Sequence, residues 1–100
     1  MEQAFAPLVR QFSAIKGYQT AYTLVYTLEP NAGNGCSLIL DRKGAQEQRV
    51  SMFVPLTPDE GYRLLRYLCE NVVQPELWED VIAEHLPARA ASRGGTRSGR

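Results

Sequence analysis

Apolar residues recur along this chain with two different periods, and the period changes at Thr57. Upstream they alternate. Tyr22-Thr23-Leu24-Val25-Tyr26-Thr27-Leu28 is β-branched and aromatic, with tyrosine and leucine on one parity and small or polar residues largely on the other, the pattern of a half-buried strand. Pro30-Asn31-Ala32-Gly33-Asn34-Gly35 reads as a loop, because Gly and Asn supply the positive φ that a chain reversal needs. Cys36-Ser37-Leu38-Ile39-Leu40-Asp41 is the next strand, Arg42-Lys43-Gly44-Ala45-Gln46 a turn, and Arg49-Val50-Ser51-Met52-Phe53-Val54 a further strand. Connections this short join antiparallel neighbours, so the sequence predicts a meander.

Downstream of Thr57 the spacing becomes three and four. Thr57-Pro58-Asp59-Glu60 is a capping box: Thr57 accepts from the backbone N–H of Glu60, and Glu60 reaches back to that of Thr57. Pro58 stands where a missing N–H costs nothing. Tyr62, Leu65, Leu68, Cys69 and Val72 then share one face, which predicts a helix over about 58–72. Pro75 opens a second helix, with Glu76 and Glu79 near its positive end and Leu77, Trp78, Val81, Ile82 and Leu86 as its apolar stripe. His85 falls in the last turn, and Pro87 prevents continuation.

The start of the chain supports two readings. Phe5, Leu8, Val9 and Phe12 have helical spacing, yet Lys16-Gly17 suits a two-residue turn joining a strand at 8–15 to one beginning near Gln19. We favour the strand. The fold expected is therefore α+β: a three- or four-stranded antiparallel meander with two C-terminal helices packed on one face. Residues 1–86 form its single domain. Residues 87–100 contain no apolar side chain larger than alanine, and composition predicts a disordered tail.

Charge changes this picture by dividing the chain. The tail carries Arg89, Arg93, Arg97 and Arg100 and no acid, so the +0 total leaves seven basic and eleven acidic residues, or −4, on residues 1–86. Arginines spaced by Gly and Ser can contact phosphates in a weak, salt-sensitive way, although the acidic body opposes nucleic acid. The opening residues have neither a basic segment nor an apolar run of secretory type, and no apolar stretch nears the ~20 residues of a membrane span. A cytoplasmic location with reduced thiols is the expectation.

Little here points to catalysis. His85 is the lone histidine, and Cys36 and Cys69 lie on apolar faces, where a cysteine behaves as a small hydrophobe. Gly33-Asn34-Gly35 lacks the lysine and following helix of a phosphate loop. Glu76, Glu79, Asp80 and Glu84 read as a solvated face rather than a cation site, and no cofactor or metal is expected. A sheet covered on one side offers a different prospect. If Leu24, Leu28, Leu38, Leu40, Val50, Met52 and Val54 face the helices, then Val25, Ile39 and Phe53 point away, exposed among Thr23, Thr27, Ser37 and Ser51. Such a cluster marks an interface, unless the N-terminal segment folds over it.

From Phe53 to Leu86 the chain resembles a family of short uncharacterised proteins from anaerobic Gram-positive bacteria. The matching residues are Pro75, Asp80, Val81, Ile82, Glu84 and Leu86, after the capped helix at Thr57. Trp78 stands where leucine is common there, and Leu77 where a polar residue, often histidine, is usual. The resemblance implies a small antiparallel sheet with helices and no established activity. The function expected is a non-enzymatic protein-binding or regulatory module, acting as a homodimer or partner subunit. The alternative is a weak nucleic-acid binder using the tail.

Overall fold

The computed structural model describes residues 5–31, 33 and 35–86. Strands β1 (Leu8–Phe12), β2 (Tyr22–Pro30), β3 (Cys36–Lys43) and β4 (Gln48–Val54) form one antiparallel sheet in the order β1-β2-β3-β4. Helix α1 (Pro58–Glu70), a 3₁₀ turn (Pro75–Leu77) and helix α2 (Trp78–Glu84) follow. The fold is α+β with the four-stranded form of the expected meander. No helix among the described residues is long and apolar enough to cross a membrane.

The N-terminal segment is a strand, shorter than 8–15: pairing runs from Leu8↔Tyr26 to Phe12↔Tyr22, with an isolated bridge at Ile15↔Gln19. The turn has three residues rather than the expected two. Tyr18 N–H donates to the Ile15 carbonyl at 2.8 Å, and Gly17 has a φ of 82°, the value required at the third position of a type II turn. The turn at 42–46 is also tighter than expected, since Arg42 and Lys43 belong to β3 and Gln48 already belongs to β4. Gly44 makes the reversal possible, with a φ of 102° and its Cα so close to β2 that an added Cβ would lie 2.9 Å from the Ala21 carbonyl oxygen.

Leu24, Tyr26, Leu28, Leu38, Leu40 and Val54 line the inner face of the sheet and pack against Leu64, Leu65, Leu68, Trp78 and Ile82. The two buried polar tips in this layer have partners, as burial requires. The Tyr26 hydroxyl donates to the Val73 carbonyl at 3.0 Å, and Trp78 Nε1–H to the Leu38 carbonyl at 3.2 Å. Burial, aided by nearby Cys69, pushes the Tyr26 phenol well above its ordinary pKa, so it remains a donor across the physiological range.

The capping box forms as expected, with both Thr57–Glu60 hydrogen bonds at 3.2 Å. Helix α1 ends two residues early. Val72 N–H donates to Cys69 O and Val73 N–H to Leu68 O, a Schellman closure, with Val72 at φ 51° in the place glycine usually takes. Arg10 Nη1 donates to the Cys69 carbonyl at 3.2 Å, so a strand supplies the cation that the end of a helix favours. Leu77 departs from the expected stripe and is exposed. It closes a 3₁₀ turn with three residues per turn rather than 3.6, which rotates it away from Trp78 and Ile82.

Gly61 is buried in α1 where the helix crosses β3; a Cβ there would lie 2.5 Å from Cys36 Sγ and 3.1 Å from Leu28 Cδ1. Alanine normally stabilises a helix interior relative to glycine by roughly 0.5–1 kcal/mol. Here overpacking reverses the sign: Gly61→Ala is expected to lower unfolding free energy by about 1–3 kcal/mol in urea titration, whereas a gain would show that the helix can lift off the sheet freely.

Candidate functional site

Two places on the fold could serve a function, and both follow from strand parity. On the outer face the lateral rows are Val9–Val25–Asp41–Arg49, then Thr27–Ile39–Ser51, then Glu29–Ser37–Phe53. Val9, Val25, Ile39 and Phe53 thus form one apolar diagonal across all four strands. The helices contribute nothing on this side, since the core cluster draws on the opposite parity. Among the described residues the N-terminal segment does not cover it either. Residues 8–12 extend the sheet sideways, and Phe5 packs on Tyr62 of α1, ring centroids 5.1 Å apart.

Exposure along the diagonal is uneven. Val9 is 51% exposed and Phe53 52%, and Val25 is half-buried. Ile39, expected to be exposed, is only 4% exposed. It occupies an inner strand with Thr27 and Ser51 directly across on either side, so neighbours on both flanks close around its branched side chain. It forms the floor of the stripe, with Val9, Val25 and Phe53 standing higher. The Phe53 ring leans over Gly35, leaving no space for a Cβ there.

The second place is the inner end of β3, where Arg42 continues the parity of Leu38 and Leu40. It is 7% exposed and is the buried charged residue of the described chain. Its Nε donates to the Gln46 carbonyl at 2.9 Å, Nη1 to Gln74 Oε1 at 3.0 Å, and Nη1 and Nη2 grip the Glu76 carboxylate at 3.0 and 2.7 Å. Such a two-pronged pair is the strong form of an ion pair. The Arg42 hydrogen bond, followed by the residue's own backbone N–H, holds the Glu76 carboxyl below its ordinary value of 4.5. The same bond raises Arg42.

Beside this pair lies a cleft of about 470 Å³, lined by Tyr18, Gln19, Tyr22, Arg42, Gln46 and Gln74 among others. Of the two non-glycine residues with positive φ among those described, Gln46 at 49° lines this cleft and Val72 at 51° lies two positions before Gln74. With Arg42 neutralised by Glu76, the cleft offers phenols and amides and no nucleophile with a base beside it. Its chief work is mechanical: Arg42 fastens the start of the second helix to the sheet.

The remaining candidates are brought together less. Cys36 and Cys69 are buried and free, and desolvation raises both thiols, which disfavours the reactive thiolate. Cys36 Sγ donates to Leu56 O at 3.8 Å, and His85 Nδ1 to Val81 O at 2.9 Å, with its ring against Tyr67. No group of three or more His, Cys, Asp or Glu suited to a metal occurs among the described residues; Glu76 is already engaged by Arg42. Arg89, Arg93, Arg97 and Arg100 lie outside the described residues. Compared with protein-family models, curated proteins and solved structures, the chain matches none. The resemblance of residues 53–86 to short bacterial proteins thus rests on the residues that suggested it.

The Arg42–Glu76 pair predicts an asymmetry. Glu76→Gln strands a buried cation, while Arg42→Met leaves a carboxylate whose side chain is 56% exposed and well hydrated. We expect Glu76→Gln to lower the urea midpoint more than Arg42→Met. Because the folded-state pKa of Glu76 is depressed, its stabilisation is present above the ordinary value of 4.5 and is lost as pH falls through the lower folded value. Acid titration of stability should therefore be shallower in Glu76→Gln than in the parent.

Proposed function

We propose that this chain is a small non-enzymatic binding module that works through protein contacts made by the outer face of its sheet, which no described helix covers. The observation that carries the reading is the unbroken apolar diagonal Val9–Val25–Ile39–Phe53, framed by Thr23, Thr27, Ser37 and Ser51. Other exposed large apolar residues, Ile15, Tyr18, Tyr67 and Leu77, lie on turns and helices, and apolar groups scattered in this way are ordinary on a monomer. An apolar row on a sheet face that no described helix covers, exposed at Val9 and Phe53 and floored by Ile39, is what a partner surface looks like. The tied-up histidine and raised thiols support a role without catalysis. Two free cysteines suit a reducing compartment, and we place the protein in the cytoplasm on that basis.

Immobilised chain should retain a protein partner, its own kind included, from lysate of its host. Phe53→Glu should abolish retention, and Leu77→Glu, an equally exposed site on the helical side, should leave it intact. Retention that tracks Leu77 and ignores Phe53 would move the function to the other face.

A further inference from the structure

We infer that the occupant of the outer face is a second copy of this chain, docked face to face about a twofold axis that runs along the apolar diagonal. The inference rests on the binding-face reading above and names its partner. From Val9 to Phe53 the diagonal crosses three strand spacings and descends two rows, about 14 Å each way at about 4.8 Å between strands and about 3.4 Å per residue. It therefore lies at about 45° to the strands. A twofold axis along it turns the second copy's strands by twice that angle, giving the orthogonal crossing of about 90° that is one of the two ways sheets pack.

The polar flanks fit the same operation. Glu29 and Arg49 lie on opposite sides of the diagonal, in the third and first of its rows, and both are exposed. On the ladder spacings, Glu29 falls about 7 Å to one side and Arg49 about 10 Å to the other, within about 2 Å of the same height along the axis. Rotation about the axis carries Glu29 of one copy over Arg49 of the next to within about 4 Å in the plane, and symmetry repeats the pair. Ser37 falls over Ser51 by the same construction, so small side chains meet small ones where the sheets approach. Arg49 Nη1 reaches Asp41 at 3.3 Å within its own chain, with the side chain 64% exposed, which leaves further N–H groups to share. A heterologous partner would have no reason to match this internal pairing of charges across the stripe.

The face of a four-stranded sheet this size offers roughly 500 Å² per copy, near the lower limit of specific interfaces, so the association should be weak and concentration-dependent. Sedimentation velocity of the full chain from about 10 μM to 1 mM tests it, with circular dichroism as a check on folding. Glu29→Arg and Arg49→Glu should each weaken dimerisation about tenfold or more, because like charges then meet in both symmetric pairs. An equimolar mixture of the two variants should dimerise as the parent does, since one copy supplies two arginines and the other two glutamates, and the double variant should recover as well. A chain monomeric throughout, or a dimer indifferent to both charge reversals, overturns the second-copy assignment. If Phe53→Glu still abolishes capture of another protein in either case, the binding-face reading stands without it; if it does not, both fall.

Discussion

A sheet has two faces, and the described residues of this chain supply helices for one. Thirteen residues of α1 and seven of α2 lie against four strands, and every side chain of the buried cluster comes from a single strand parity, from those helices or, for Val73, from the connection between them. The energetic logic is ordinary burial, at about 25 cal/mol per Å² of apolar surface removed from water. Its consequence is one-sidedness. Once Leu24, Tyr26, Leu38 and Leu40 are committed inward, the alternate residues of the same strands have no element of the described chain to cover them.

How the helices are held explains why the connection between them is so heavily tied. Between Glu70 and Trp78 the chain must reverse and start a new helix over β3 and β4. It does so with a Schellman closure at a residue poorly suited to it: a left-handed valine costs roughly 1–2 kcal/mol. The surroundings over-determine the bend. Tyr26 bonds the Val73 carbonyl, Arg42 takes Gln74 and Glu76, and Trp78 bonds the Leu38 carbonyl. Each bond comes from or goes to a strand of the sheet, so the second helix is positioned from below by polar groups buried among apolar ones, which cannot shift without losing their partners. Strain at Val72 and Gln46 is offset by this network, and a purpose beyond placement is not needed to explain it.

Legibility in the sequence followed the strength of local signals. Thr57-Pro58-Asp59-Glu60 names a helix start through reciprocal hydrogen bonds within four residues, and the strands from Tyr22 onward alternate plainly enough to fix their inner face. Arg42 was hidden because Arg-Lys-Gly-Ala-Gln resembles a turn in composition. Only by extending the Leu38–Leu40 parity by one more step would it have been placed inward, and nothing local announces that Glu76, thirty-four positions later, is waiting for it. Leu77 was misplaced because a 3₁₀ turn shifts helical phase without a compositional sign. The burial of Ile39 depends on two strands flanking it, a tertiary fact. Val9 was invisible as part of the outer stripe because Phe5, Leu8, Val9 and Phe12 have helical spacing and only the Lys16-Gly17 turn speaks for a strand; pairing with β2 decides it, and pairing is non-local.

The outer diagonal is in the end a statement about register. Val9 beside Val25, Ile39 one row down and Phe53 one row further are neighbours only because three hairpins hold their strands in these alignments. A slip of one residue in any of them would send that strand's apolar side chains to the opposite face. The slip is resisted from inside by the packed parity and from the ends by turns whose geometry tolerates few substitutes: Gly17 at its positive φ, Gly44 against the Ala21 carbonyl, and Gly35 beneath the Phe53 ring. Those glycines touch no proposed partner. They act on the binding face nonetheless, because the stripe exists only while the turns count their residues correctly. Gly35 does both at once, closing the β2–β3 loop while giving the Phe53 ring the place where it rests at the end of the stripe.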